Sequence, residues 1–311
     1  MTKTATLLSV ALVSALGLAD APLMAAGSST AEVAITFDDV PSHNVAPAGV
    51  SRVQIVQKAV DALHKAKAPP VYGFVNGIAL KNEPASTDAL KLWVSSGNLI
   101  GNHSYSHGDA NGLSSAAFIK DIQANEATLK EYAGTTNWHY LRLPFLRSGD
   151  TPQKRAAVTD FMAKEGYRLA DVSFGFNDYD YNPPYARCLA KQDTAGIDWL
   201  RAHYLAAAAA AMDQGRAEAR QVFGRDIKHI FLLHVGAFDA EMLPSVLDLL
   251  KAKHFKLITL DEAVSDPVYT TYAPVGEAWG GSIFNRAAFA NNIALPPGPD
   301  NFATQLNALC Q

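Results

Sequence analysis

Val33-Ala34-Ile35-Thr36-Phe37-Asp38-Asp39 is a short β-branched and aromatic run that ends abruptly on two adjacent carboxylates. The run before them shows no polar alternation, so it reads as a strand buried on both faces, the kind found in a parallel sheet covered by helices. The aspartates then stand at its C-terminal end. Parallel α/β folds open their active sites at that end of the sheet.

A helical spacing follows at once. Val53, Val56, Val60 and Leu63 recur within residues 51–67, and the pattern stops before Pro69-Pro70. The alternation then repeats: a strand over 71–75, a helix over 86–95, and a short strand over 98–101 that leads into His103. A helix opens at Ser114 or Ser115 with the core stripe Phe118, Ile122 and Leu129, and a strand covers 139–143. Thr151-Pro152 caps the next helix, with proline at its first position. Strands over 167–174, 229–233 and 255–260 alternate with an Ala-rich helix over 197–223, ended by Gly224, and a helix within 239–253. Asp261-Glu262-Ala263 opens a last helical turn. Seven or so β-α units in order favour a distorted (β/α) barrel of about seven parallel strands over an open sheet.

With 311 residues, 49% of them hydrophobic, the chain can bury a full core. A net charge of −4, with no Lys/Arg stripe, argues against nucleic acid as the partner. Residues 1–26 read as a signal peptide: Lys3, an apolar stretch from Ala5 to Leu18, then Pro22, Ala25 and Ala26. The expected mature unit is a single catalytic domain over 27–311, with 270–311 a tail packed on it and no membrane span left after leader removal. A secreted or periplasmic location follows, and it permits disulfides. Cys188 and Cys310 are the only cysteines. They either pair with each other within the chain or remain as two thiols.

Nearly every residue able to do chemistry falls just after an expected strand: Asp38, Asp39, His103, His107, Arg142 and His234. Asp39, His103 and His107 form a one-carboxylate, two-imidazole donor set, for which zinc is the default cation and cobalt, manganese or iron are alternatives. The two histidines are four apart, so on a turn or helix they face the same way. Asp38 beside that cation can take a proton from water there. Arg142 is placed against Asp38, where an opposite charge favours the ionised carboxylate and sets its direction. His234 can protonate the leaving group. His43 sits near the aspartates on a Pro/Ser/Asn turn and reads as solvent-exposed. Of the aromatics expected in strand-end loops (Tyr105, Trp138, Phe145, Tyr179, Tyr181 and Phe238), one or two should touch substrate, with Tyr105, Phe145 and Tyr179 the candidates.

Four ordered stretches resemble the motifs of the polysaccharide deacetylases, the NodB-homology domain of carbohydrate esterase family 4. Thr36-Phe37-Asp38-Asp39 resembles the first motif, His103-Ser-Tyr-Ser-His107 the second, Arg142-Leu-Pro-Phe145 the third and Leu232-Leu-His234 the fifth. The resemblance implies removal of acetyl groups from N- or O-acetylated sugars of chitin, peptidoglycan or xylan type. It implies the first aspartate as base, the second aspartate and both histidines as metal ligands, the last histidine as acid, and a backbone N–H near Phe145 for the oxyanion. Two positions depart from the pattern. Val40 stands where the family has glycine, and in the fourth motif Gly175 stands where an aspartate would orient the acid histidine. Asp178 or Asp171 would then have to substitute.

Two other functions remain compatible with these residues: a metal-dependent amidohydrolase acting on a small non-sugar amide, and a carbohydrate-binding protein that has lost turnover, the latter motivated by Gly175.

Overall fold

The computed structural model describes Met1 and residues 30–41, 43, 45–273 and 280–311. Apart from Met1, the expected leader over 1–26 lies outside the described residues. Strand β1 (Ala31–Val40) is buried along nearly its whole length because its two faces meet two apolar layers. Val33, Ile35, Phe37 and Val40 pack in one cluster with helix residues such as Ile55, Val56 and Phe118. Ala34 packs in another, with Tyr72, Phe74, Tyr140 and Ile230 of neighbouring strands. By the period of two, Thr36 and Asp38 fall on the Ala34 side, inside the barrel.

The other strands are β2 (Tyr72–Val75), β3 (Leu99–Asn102), β4 (Tyr140–Leu141), β5 (Arg168–Leu169), β6 (Lys228–His234) and β7 (Phe255–Leu257). All pairings are parallel, in the order β5-β4-β3-β2-β1-β6. β6 runs along one edge of β1. β2 and β7 share the other edge, β7 beside Ala31–Val33 and β2 beside Thr36–Val40.

The strand expected over 167–174 divides. Its first part pairs with β4, after which the chain crosses to β6, where the Ser173 N–H donates to the Ile230 carbonyl at 2.9 Å and the Leu232 N–H donates to the Phe174 carbonyl at 3.0 Å. One segment thus closes the sheet into a distorted (β/α) barrel, with the distortion at this seam, where no continuous ladder runs between β5 and β6.

The expected helices lie at Arg52–Lys65, Ser86–Ser95, Ser115–Tyr132, Pro152–Glu165, Thr194–Phe223, Ala237–Ala252 and Leu260–Ala263. Local chemistry explains their ends. Ser51 and Gln54 make a capping box, Thr151 accepts from Lys154 N–H, and Gly224 takes the left-handed conformation (φ 70°) that stops the longest helix. Among the described residues, five short α-helices lie outside those expected: Gly77–Asn82, Asn182–Ala190, Pro267–Tyr272, Ile283–Asn291 and Ala303–Ala308. Each has only one or two turns, too few to display a period.

The C-terminal tail enters the core. Ile283 and Phe284 are fully buried, the Ile283 N–H donates to the Val172 carbonyl at 2.7 Å, and Arg286 pairs with buried Asp171 at 3.1 Å. Cys188 and Cys310 form a disulfide across 122 residues, and Arg187 donates to the carbonyls of Leu306 and Leu309. No helix among the described residues is long and apolar enough to cross a membrane.

Candidate active site

A β-bulge sets the centre of the site. Phe37 is opposite Gly73 and Val40 is opposite Val75, so β1 advances three residues while β2 advances two. The extra residue sends Val40, rather than Asp39, into the helix layer beside Trp93. Asp38 and Asp39 therefore both turn to the barrel mouth, which strict alternation forbids. Asp39 absorbs the kink at φ 57°, a left-handed value that aspartate tolerates better than most residues. Val40, the departure from the family glycine, occupies space that Gly73 leaves empty: a Cβ on Gly73 would stand 2.7 Å from Val40 Cγ2.

Arg142 leaves β4 inside the barrel, fully buried, and each of its three side-chain nitrogens donates to β1 or the seam. Nη1 donates to Asp38 Oδ1 at 2.8 Å, Nη2 to Thr36 Oγ1 at 3.0 Å and Nε to the Ala170 carbonyl at 2.6 Å. The guanidinium also lies over the Phe74 ring, 4.6 Å from its centroid. Asp38 is thus held by one oxygen, and its other oxygen faces His103 Nε2 at 3.7 Å. The Thr36 hydroxyl, to which the sequence assigned no role, donates in turn to the Phe231 carbonyl at 3.2 Å.

His103 and His107 converge by a different route from the regular turn or helix expected. The segment is irregular, with Ser104 and His107 both at φ 57°. A buried asparagine network holds it: Asn76 donates to the His103 and Ser104 carbonyls, and Asn102 Oδ1 accepts from the Ser104 N–H and from Asn125. Asn76 and Asn125 escaped sequence reading because they act on main chain brought close only by the fold, the His103 and Val75 carbonyls, 27 and 50 residues away.

Donor chemistry suits one divalent cation. Asp39 Oδ1 lies 3.6 Å from His103 Nε2 and 3.6 Å from His107 Nε2, too far for hydrogen bonds, and the three donor atoms lie within 4.8 Å of one another. His103 Nδ1 is 2.8 Å from the Arg142 carbonyl, so that nitrogen carries the proton and Nε2 presents a lone pair. Burial and then His103 push the His107 imidazole down, favouring its neutral form. Burial raises Asp39, but His103, His234, His107 and His43 outweigh it and hold the carboxyl below its usual range.

His234, the last residue of β6, is the direct register partner of Asp38. Its Nδ1 lies 2.8 Å from Asp178 Oδ1, and its backbone N–H donates to Asp178 Oδ2 at 2.7 Å. Gly175 therefore leaves no gap: of the two substitutes expected, Asp178 reaches His234, while Asp171 is taken by Arg286. Burial alone would lower His234, but Asp178, followed by Asp39 and Asp38, lifts it to about 10.

Aromatic side chains divide sharply. Phe145, at φ 55°, is 54% exposed with its ring 4.6 Å from His107, and the Tyr179 ring is 4.9 Å from His234. Phe145 thus stands beside His107, and Tyr179 beside His234. Tyr105 rests its ring against Gly77 and makes no ring contact with either histidine among the described residues. Tyr181 and Phe238 are core residues, and Trp138 precedes β4, at the far end of the barrel. His43 corrects the expectation of exposure: its Nε2 is 3.2 Å from Asp39 Oδ2, its ring packs on Tyr179 and His234, and burial pushes its imidazole down to about 4.

Residues 26–163 match the family model described as Polysaccharide deacetylase. A chitin deacetylase of Arthroderma benhamiae is 26% identical over 152 residues, 49% of this chain but only 36% of that protein. A chitin deacetylase of Colletotrichum lindemuthianum is 23% identical over 236 residues, 75% of this chain and 79% of that protein. The solved structure of the chitin deacetylase from Colletotrichum lindemuthianum shares the fold, with a TM-score of 0.51 at 22% identity, covering 75% of this chain and 87% of that one.

Proposed function

Because residues 26–163 match the polysaccharide deacetylase family model, we propose that this chain is a secreted or periplasmic, metal-dependent hydrolase that removes acetyl groups from an N- or O-acetylated glycan. Asp39, His103 and His107 would hold the cation, zinc by default. A cation there supplies a Lewis acid that polarises the acetyl carbonyl and acidifies a nearby water. Asp38, tied to Arg142 through Oδ1, uses Oδ2 to accept the proton of the attacking water. The water oxygen adds to the acetyl carbon. The Phe145 N–H serves the developing oxyanion, since the hydrogen bonds within that turn come from Leu146 and Arg147.

His234 Nε2, with Nδ1 anchored by Asp178, gives its proton to the leaving nitrogen or oxygen as the bond to the acetyl carbon breaks. Acetate and a free amine or hydroxyl result. Phe145 and Tyr179 offer apolar walls to a sugar ring. Fungal chitin deacetylases among the relatives favour an N-acetylated β-linked glycan as the first substrate to try.

The observation that supports this most is the meeting, at one mouth, of an arginine-held carboxylate, a one-Asp two-His donor set and a carboxylate-anchored imidazole. Acetate release from chitooligosaccharides, peptidoglycan and acetylxylan by metal-free and zinc-loaded protein tests it, with Asp38→Ala and His234→Ala as controls. Equal activity of the metal-free protein would overturn the mechanism. Turnover of a small cyclic amide, with no acetate from any glycan, would replace the substrate class.

A further inference from the structure

His43 is the one imidazole at the mouth with no part in the chemistry above. The barrel pulls it inward by main chain and side chain together: its N–H donates to the Val235 carbonyl at 2.8 Å, and its ring centroid is 4.9 Å from that of His234 and 5.3 Å from that of Tyr179. Its Nδ1 is buried and, among the described residues, has no hydrogen-bond partner. An unmade hydrogen bond of this kind costs free energy, so packing alone would favour an apolar side chain here. What distinguishes histidine at this position is the contact its other nitrogen makes.

That contact is with the ligand carboxylate. Asp39 is two-sided: Oδ1 faces His103 and His107 at 3.6 Å each, whereas Oδ2 faces His43 Nε2 at 3.2 Å and His234 Nε2 at 4.0 Å. With its backbone at φ 57° in a bulge, Asp39 gains no orientation from a regular ladder. Among the described residues, nothing else close to Oδ2 competes with His234 for it.

Resting on the metal-site reading above, we propose that His43 is a positioning residue for Asp39. Its Nε2–H donates to Oδ2, holds the carboxylate edge so that Oδ1 alone is presented to the cation, and keeps Oδ2 from turning onto His234 Nε2. Without that donor, Oδ2 is free to accept from His234, and the proton meant for the leaving group is sequestered. Loss of an outer partner of this type lowers metal affinity by about 10- to 100-fold.

Two variants of the full chain separate hydrogen bonding from packing. His43→Leu removes the donor and keeps the bulk, while His43→Gln keeps an amide N–H able to reach Oδ2. Zinc affinity is measured by competition with a chromogenic chelator, and melting temperature is measured without metal. The expected result is zinc binding weakened about tenfold or more in His43→Leu, largely restored in His43→Gln, with both metal-free variants melting no lower than the unaltered chain. Unchanged zinc affinity in His43→Leu, or equal weakening in both variants, overturns the proposal. Zinc binding by the unaltered chain no tighter than by Asp39→Ala would instead remove the metal-site reading itself, and this inference with it.

Discussion

Asp178 grips His234 twice, its Oδ1 2.8 Å from the ring Nδ1 and its Oδ2 accepting the His234 backbone N–H at 2.7 Å. The carboxylate fixes both the ring orientation and the strand end that carries it, from 56 residues away.

This grip predicts a pH dependence. Burial lowers the imidazole and Asp178 raises it beyond that, to about 10, so the protonated acid persists through neutral pH and is lost as pH approaches that value. In Asp178→Asn the burial effect remains and the main raising charge is gone. The alkaline limb of the rate profile then moves to lower pH, and kcat near pH 8 falls by about 10²- to 10⁴-fold. Stability should follow the same sign. A folded pKa raised above the ordinary 6.5 stabilises fully below about 6.5 and progressively less as pH rises toward about 10. Urea denaturation at pH 6 and at pH 9.5 should therefore show a larger loss in the unaltered chain than in Asp178→Asn.

Buried charges at Asp38 and Arg142 predict non-additive stability. Arg142→Met leaves a carboxylate of 3% exposure without its guanidinium, a loss of about 3–5 kcal/mol. Adding Asp38→Leu removes the stranded charge, so the double variant should be more stable than the sum of the two single losses allows, by about 1–3 kcal/mol. All three variants should lack acetate release. Strict additivity in urea titrations would mean that the two side chains do not depend on each other.

Metal removal gives a third expectation. A chelator should abolish acetate release and zinc should restore it. Zinc at about 100 times its dissociation constant should add about 2.7 kcal/mol to the stability of the unaltered chain. Neither Asp39→Ala nor His103→Ala should gain that increment. An equal thermal shift in those variants would place the binding elsewhere.

Val40 and Gly73 form a complementary pair, since a Cβ on Gly73 would stand 2.7 Å from Val40 Cγ2 and 3.0 Å from the Trp93 ring. Gly73→Ala alone should cost about 1–3 kcal/mol by overpacking. Combined with Val40→Ala it should cost less than the two separate losses added together, because the smaller side chain at Val40 vacates the contested space. Melting curves of the two single variants and the double variant measure this directly.

Much of the barrel was legible because it is local chemistry. The doubly buried run at Val33, the stripe Phe118, Ile122 and Leu129, the cap at Thr151 and the stop at Gly224 each act within a few residues. The seam at 168–174 was not, because a short strand gives no sign that its two ends pair with different neighbours. Asp178, rather than a residue at position 175, reaches His234 because the chain passes Leu232 at Gly175 and turns before the carboxylate. His43 reads as exposed from its turn-forming neighbours and is drawn in by a hydrogen bond to Val235, nearly two hundred residues away.

By itself, then, the sequence determined which residue types stand at the strand ends, and so what chemistry the mouth of the barrel can hold. Tertiary structure decided which way they point. Adjacent residues on a strand face opposite sides, so Thr36-Phe37-Asp38-Asp39 alone would send one aspartate into the helix layer. Only the bulge opposite β2, with Asp39 in the left-handed conformation and Val40 seated over Gly73, turns both carboxylates inward. The side-chain period is a property of the chain, whereas the extra residue that breaks it is a property of the pairing.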